Sequence, residues 1–109
     1  MIHLDTNFLI HALRSGTAED APLRAWLDQE HPVGLPAMTW AEFLCGPLNP
    51  GDQGFAETLF PEIEAMTPAD SLIGAELFDV TGRCSRWLAD CLIAATALRV
   101  SAQMATANG

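Results

Sequence analysis

Three carboxylates stand among residues that do not suit them: Asp5 in "IHLDTNFLI" (2–10), Glu42 in "MTWAEFLC" (38–45) and Asp90 in "WLADCLIAATAL" (87–98). An ionised carboxylate taken out of water costs on the order of several kcal/mol unless it is paired or binds a metal. Acids brought together repel, so a cluster of them calls for a cation. A ligand set made only of oxygens favours Mg²⁺ or Mn²⁺ over zinc. Such a centre lowers the pKa of a bound water and neutralises charge on a phosphate.

Each acid also has a plainer reading. Asp5 suits the N-cap of a helix starting near Asn7. Thr39 and Glu42 fit a capping box in "TWAE" (39–42). Arg86 lies one turn before Asp90 and is placed to pair with it. Asp90 is the sharpest anomaly, because a full rotation of its helix meets almost nothing but apolar residues, the pattern of a core helix. Other acids, among them Glu19, Asp20, Asp28, Glu30, Glu57, Glu62 and Glu64, read as solvated surface. His3, His11 and His31 read as ordinary strand, helix-face and loop residues.

The elements that must position these acids follow from periodicity. "IHLD" (2–5) reads as a short buried strand, so Asp5 falls at its carboxyl end, where ligands gather in open α/β sheets. Phe8, Leu9, Ala12 and Leu13 share one helix face, with Gly16 as the stop. A second helix spans 20–30, and an extended segment surrounds Val33 and Leu35 between prolines. Helices follow over 39–45, about 53–65, from near Pro68 to Gly82, and 86–100. Brief strands are expected at "AMT" (65–67) and within 102–108. Helices dominate, with short strands between them, which implies an α/β sandwich on a small parallel sheet. The order of the strands is not derivable from this pattern.

With 109 residues the chain suits one domain. Its formal charge is −9, and its five basic residues are all arginines, at 14, 24, 83, 86 and 99. A protein holding polyanions by its own field would not have this balance, so a metal or a basic partner must neutralise phosphate if the ligand is nucleic acid. Cys45, Cys84 and Cys91 suit neither a disulfide framework nor a zinc site and are expected to be reduced, mostly buried thiols. No apolar run reaches a membrane span and no secretory signal is visible, so the expected compartment is the cytoplasm.

"HLDTNFLIHAL" (3–13), "MTWAEFLCGP" (38–47), "LADCLIAATAL" (88–98) and "MATAN" (104–108) resemble, in order, the motifs of PIN-domain ribonucleases, and of VapC-type toxins of bacterial toxin–antitoxin pairs in particular. The resemblance runs from Met1 to the end of the chain. It implies a single PIN-like domain over 1–109, an α/β/α sandwich whose small parallel sheet is flanked by helices. It implies an acidic metal site in which Asp5, Glu42 and Asp90 match the family's first three acids, Thr6 helps order the site and Asn108 matches the polar position after the last strand. The chain stops at Gly109, short of the family's customary final acid and tail, so the C-terminus looks truncated. Asn108 offers a carbonyl oxygen but no charge.

The implied activity is Mg²⁺- or Mn²⁺-dependent hydrolysis of RNA phosphodiesters. Arg83 and Arg86 are candidate phosphate contacts, with an ordinary salt bridge as the competing reading. The implied partners are an RNA substrate, a cognate VapB-like antitoxin and a second copy of the chain. The first and the fourth-to-fifth helices are candidate dimer faces, although core packing accounts for them equally. The alternative is a degenerate protein that binds antitoxin without catalysis. An aspartyl phosphotransfer domain is disfavoured: a receiver needs a lysine, the chain has none, and "LDTN" is not D-x-D.

Overall fold

The computed structural model describes residues 1–83 and 87–107. Its strands are β1 (Ile2–Leu4), β2 (Val33–Pro36), β3 (Ile63–Glu64) and β4 (Gln103–Ala105). Its helices are α1 (Thr6–Ala12), α2 (Asp20–Asp28), α3 (Ala37–Cys45), α4 (Asp52–Leu59), α5 (Pro68–Val80) and α6 (Leu88–Arg99). The strands form one sheet in the order β3-β2-β1-β4, and every pairing is parallel. β1 therefore lies inside the sheet, with Ile2 opposite both Val33 and Gln103. Its residues are buried, as an interior parallel strand requires.

Side chains alternate along a strand. Ile2 and Leu4 join Leu35, Phe8, Leu9, Ala12, Leu23, Phe43, Ala56 and Phe60 in the main core, built with α1 to α4. His3 points away from that cluster and is also buried. α5 and α6 pack closely. A Cβ on Gly74 would stand 2.7 Å from Leu92 Cδ2, so glycine is what lets the two helices approach. Cys91, Ile93, Ala95, Thr96 and Ala97 form the buried side of α6.

The boundaries depart from the sequence reading where tertiary contacts decide. α1 already ends at Ala12, and Gly16 (φ 83°) shapes the loop beyond it. The expected strand at 65–67 is replaced by Ile63–Glu64, whose pairing with Leu35 and Pro36 defines it. A two-residue strand has no local signature. Cys91 is buried, but Cys45 is exposed near the end of α3, so the expectation of buried thiols fails for it. Cys84 lies outside the described residues. Among those residues no helix is long and apolar enough to cross a membrane.

Candidate active site

The carboxyl ends of β1, β2 and β4 meet at one edge of the sheet. Asp5 follows β1 directly. Its backbone N–H donates to Ala105 O at 3.0 Å, tying it to the end of β4. The extended conformation at Asp5 (φ −80°, ψ 172°) lets its Oδ1 accept from Phe8 N–H at 2.8 Å and cap α1. A second amide, that of Ala107, also donates to this carboxylate. Capping does not exhaust this side chain: a carboxylate has room for about four acceptor contacts, and the two amides use only part of them.

Glu42 is placed by hydrogen bonds the sequence reading did not foresee. The capping box expected from Thr39 and Glu42 is not formed. α3 begins two residues earlier, at Ala37, with Pro36 (φ −64°, ψ 149°) as its N-cap. Thr39 lies inside the helix, and its hydroxyl donates to Leu4 O at 2.9 Å in a buried contact that fastens α3 to the end of β1. Thr6 Oγ1 donates to Glu42 Oε1 at 2.5 Å. Thr6 therefore orients the Glu42 carboxylate.

Asp90 is exposed, which overturns the core-helix argument that singled it out. α6 is rich in alanine and leucine on every side, but only one side is buried, and Leu88 and Leu98 face out together with Asp90. The position is nonetheless informative. Asp90 and Asp5 line the same cleft of about 340 Å³, with Asn7, Ile93, Met104 and Thr106 among its other walls. Asn7 and Thr106 were not among the site residues expected from sequence. Their polar positions in "DTN" and "MATAN" were the available signal.

Burial is the main influence on Asp5 and raises its pKa above the ordinary aspartate value. The Phe8 and Ala107 amides oppose that rise, and the nearby charges of Asp90 and Glu42 reinforce it. The cleft is thus acidic, with no arginine in its described lining. This donor set of oxygens fits a hard divalent cation. The three carboxylates do not form a closed protein cage: among the described residues no group of three or more His, Cys, Asp or Glu side chains gathers tightly enough to hold an ion. Mg²⁺ does not demand one, since it is commonly bound by one or two carboxylates and keeps several waters.

Arg83, a candidate phosphate contact, is in an ion pair with Asp79 and lies over the Phe78 ring, 5.7 Å from its centroid. Arg86 and Asn108 lie outside the described residues, so the proposed Arg86–Asp90 pair does too.

A second polar cluster was missed altogether. Asp70, fully buried, accepts from Arg99 Nε at 2.6 Å and from Thr96 Oγ1 at 3.0 Å. Arg99 Nη2 also reaches Glu64 Oε2 at 3.2 Å and Ala65 O at 3.0 Å, so Glu64 is not simply solvated surface. Thr67 and Asp70 form the capping box of α5. The "TPAD" spacing (67–70) was the legible part of this cluster.

The chain matches the PIN-domain family model over residues 2–109 and belongs to the PIN-domain family. Its likeness extends to solved structures. FitAcB from Neisseria gonorrhoeae shares 30% identity and a TM-score of 0.69, covering 99% of this chain and 88% of that one. VapBC2 from Rickettsia felis, bound to a DNA fragment from its promoter, gives a TM-score of 0.73 at 19% identity with the same coverage. FitAB bound to the IR36 DNA fragment shares 30% identity with a TM-score of 0.65, covering 95% of this chain and 82% of that one. No curated protein matches the sequence.

Proposed function

We propose that this PIN domain is a metal-dependent ribonuclease, the toxin of a VapBC-type toxin–antitoxin pair. The observation that carries the reading is the shared cleft of Asp5 and Asp90, in which Asp5 is pushed toward protonation by burial and by two neighbouring acids. A site built that way stores repulsion that a cation relieves.

Asp5 and Asp90 would hold Mg²⁺ or Mn²⁺, with Glu42 supplying further negative charge beside them. When bound, the ion supplies neutralisation of the scissile phosphate and a more acidic water. The chain's own residues do the positioning. The Phe8 and Ala107 amides fix the Asp5 carboxylate, Thr6 fixes Glu42, and the Thr39–Leu4 bond holds α3 against β1. Asn7 and Thr106 offer polar groups at the rim. Asn108, the polar position after the last strand in the resemblance, and Arg86, the candidate phosphate contact, lie outside the described residues, while Arg83 is paired with Asp79.

The partner reading rests on the FitAB and VapBC2 complexes. A VapB-like antitoxin with a basic tail suits a chain of charge −9. The same reading places the protein in the cytoplasm as a homodimer. Of the two faces considered for dimer contact, α1 turns Phe8, Leu9 and Ala12 into the core, whereas α5 leaves Leu72 exposed. α5 is therefore the better candidate.

The test is cleavage of RNA by the purified chain in Mg²⁺ or Mn²⁺, compared with Asp5→Asn and with added EDTA. Cleavage lost in both controls supports the reading, and equal cleavage by wild type and Asp5→Asn points to a contaminating nuclease. The second reading is an antitoxin-binding protein without catalysis. Complex formation with no metal-dependent cleavage selects it.

A further inference from the structure

Asp90 and Ala94 are walls of two depressions at once. One is the carboxylate cleft. The other, of about 280 Å³, is otherwise almost wholly apolar and includes Leu77, Val80, Trp87 and Cys91. Trp87, Asp90 and Ala94 recur at helical spacing (i, i+3, i+7), so they share one face of the α6 segment. Asp90 and Ala94 are shared by the two depressions, which therefore lie side by side. Trp87 is 42% exposed at the rim, although an indole has more to gain from burial than most side chains.

Building on the nuclease reading, we propose that this groove seats a base of the RNA beside the cleaved phosphate, stacked on the Trp87 indole. The charge balance favours such a contact. Of the four described arginines, Arg24, Arg83 and Arg99 are in ion pairs with Asp20, Asp79 and Asp70. A chain of charge −9 has little cationic surface to grip a phosphate backbone. Base–aromatic stacking needs no positive charge and contributes about ten- to a hundredfold in affinity per base. A phosphate held at Asp5 and Asp90 leaves the adjoining nucleoside to one side, and on the α6 side the adjoining surface is this groove. A second copy of the chain is the competing occupant. It is the weaker one, because covering the groove with an apolar partner would desolvate the Asp90 carboxylate.

The experiment compares the full-length chain with Trp87→Phe and Trp87→Ala in Mg²⁺. It measures kcat and KM on a short single-stranded RNA, and wild type is also assayed on RNAs carrying one abasic nucleotide on either side of the cut. The expected result is a KM raised about tenfold in Trp87→Ala with kcat within about twofold, and near-wild-type behaviour of Trp87→Phe. Wild type should lose a similar factor on one abasic substrate, a measurement that needs no variant and so survives misfolding of Trp87→Ala. Efficient cleavage by wild type with no penalty for either abasic substrate overturns the stacking proposal alone. So does a wild-type KM in Trp87→Ala accompanied by loss of a dimer in sedimentation velocity, which assigns the groove to a second copy. No cleavage by wild type at all overturns the nuclease reading, and this proposal with it.

Discussion

Asp5, just after β1, and Asp70, in the first turn of α5, are both acids withdrawn from water, and burial pushes both toward protonation. Asp70 ends below the ordinary aspartate range. The burial effect is outweighed there by hydrogen bonds from Arg99, the Thr67 amide and Thr96, and by the charge of Arg99. Asp5 ends above that range, because two backbone amides do not offset burial together with Asp90 and Glu42. One carboxylate has its cation built into the chain; under the proposed function the other would be completed by a cation from solution. The contrast separates an acid paired within the fold from an acid with no cation of the chain beside it among the described residues.

The largest expected effect breaks the incomplete side. Asp5→Asn should lower metal-dependent cleavage by about a thousandfold, several kcal/mol of lost charge stabilisation. It should not lower the melting temperature at neutral pH, because asparagine caps a helix as well as aspartate does and removes the repulsion. Steady-state kinetics and thermal denaturation of one preparation check both halves.

Asp70→Asn breaks the completed side and should do the reverse. Removing one partner of a buried, hydrogen-bonded ion pair costs about 3 kcal/mol or more, while cleavage per folded molecule stays near wild type. Urea unfolding followed by activity in native buffer separates the two. The Asp70 contribution is present above the unfolded aspartate pKa of about 3.9 and is lost as pH falls through the lower, folded value.

Thr6→Val sharpens the comparison by loosening Glu42 without touching a charge. Apparent affinity for Mg²⁺ or Mn²⁺ should fall about ten- to a hundredfold, as read from the metal dependence of cleavage.

The smallest effect concerns His3, beside the Asp70 network. Its Nδ1 is buried with no partner among the described residues. Burial, chiefly, lowers its pKa; the charge of Glu64 opposes this, and that of Arg99 adds to it. The stability carried by neutral His3 is present above the unfolded value of about 6.5 and is lost as pH falls below it. The urea midpoint should therefore drop more between pH 7.5 and 5.5 in wild type than in His3→Gln.

How far sequence alone reached follows the same division. Asp5 was legible because a polar break after an apolar strand is a local pattern; its capping reading holds, and its place in the cleft with Asp90 leaves the site reading as a proposal. Asp90 was singled out by a burial argument that the exposed face of α6 refutes. Its place beside Asp5 depends on how α6 lies against β4, which no local spacing encodes. Glu42 was found through the family motif, while its local pattern suggested a capping box that Pro36 pre-empts by starting α3 earlier. The Asp70–Arg99 pair was invisible because its members are 29 residues apart. Neither α5 nor α6 looks amphipathic enough to reveal which side faces inward. Strand order was equally hidden, since β1 pairs with β4, the strand farthest from it in sequence.

The central proposal is that Asp5 and Asp90 together bind a divalent cation, and thermal denaturation with increasing Mn²⁺ at pH 7 tests it most directly. The account predicts that Mn²⁺ raises the wild-type melting temperature by several degrees at saturating concentration and leaves Asp5→Asn and Asp90→Asn unmoved. A wild-type melting temperature indifferent to Mn²⁺, or one that rises equally in all three proteins, would contradict it.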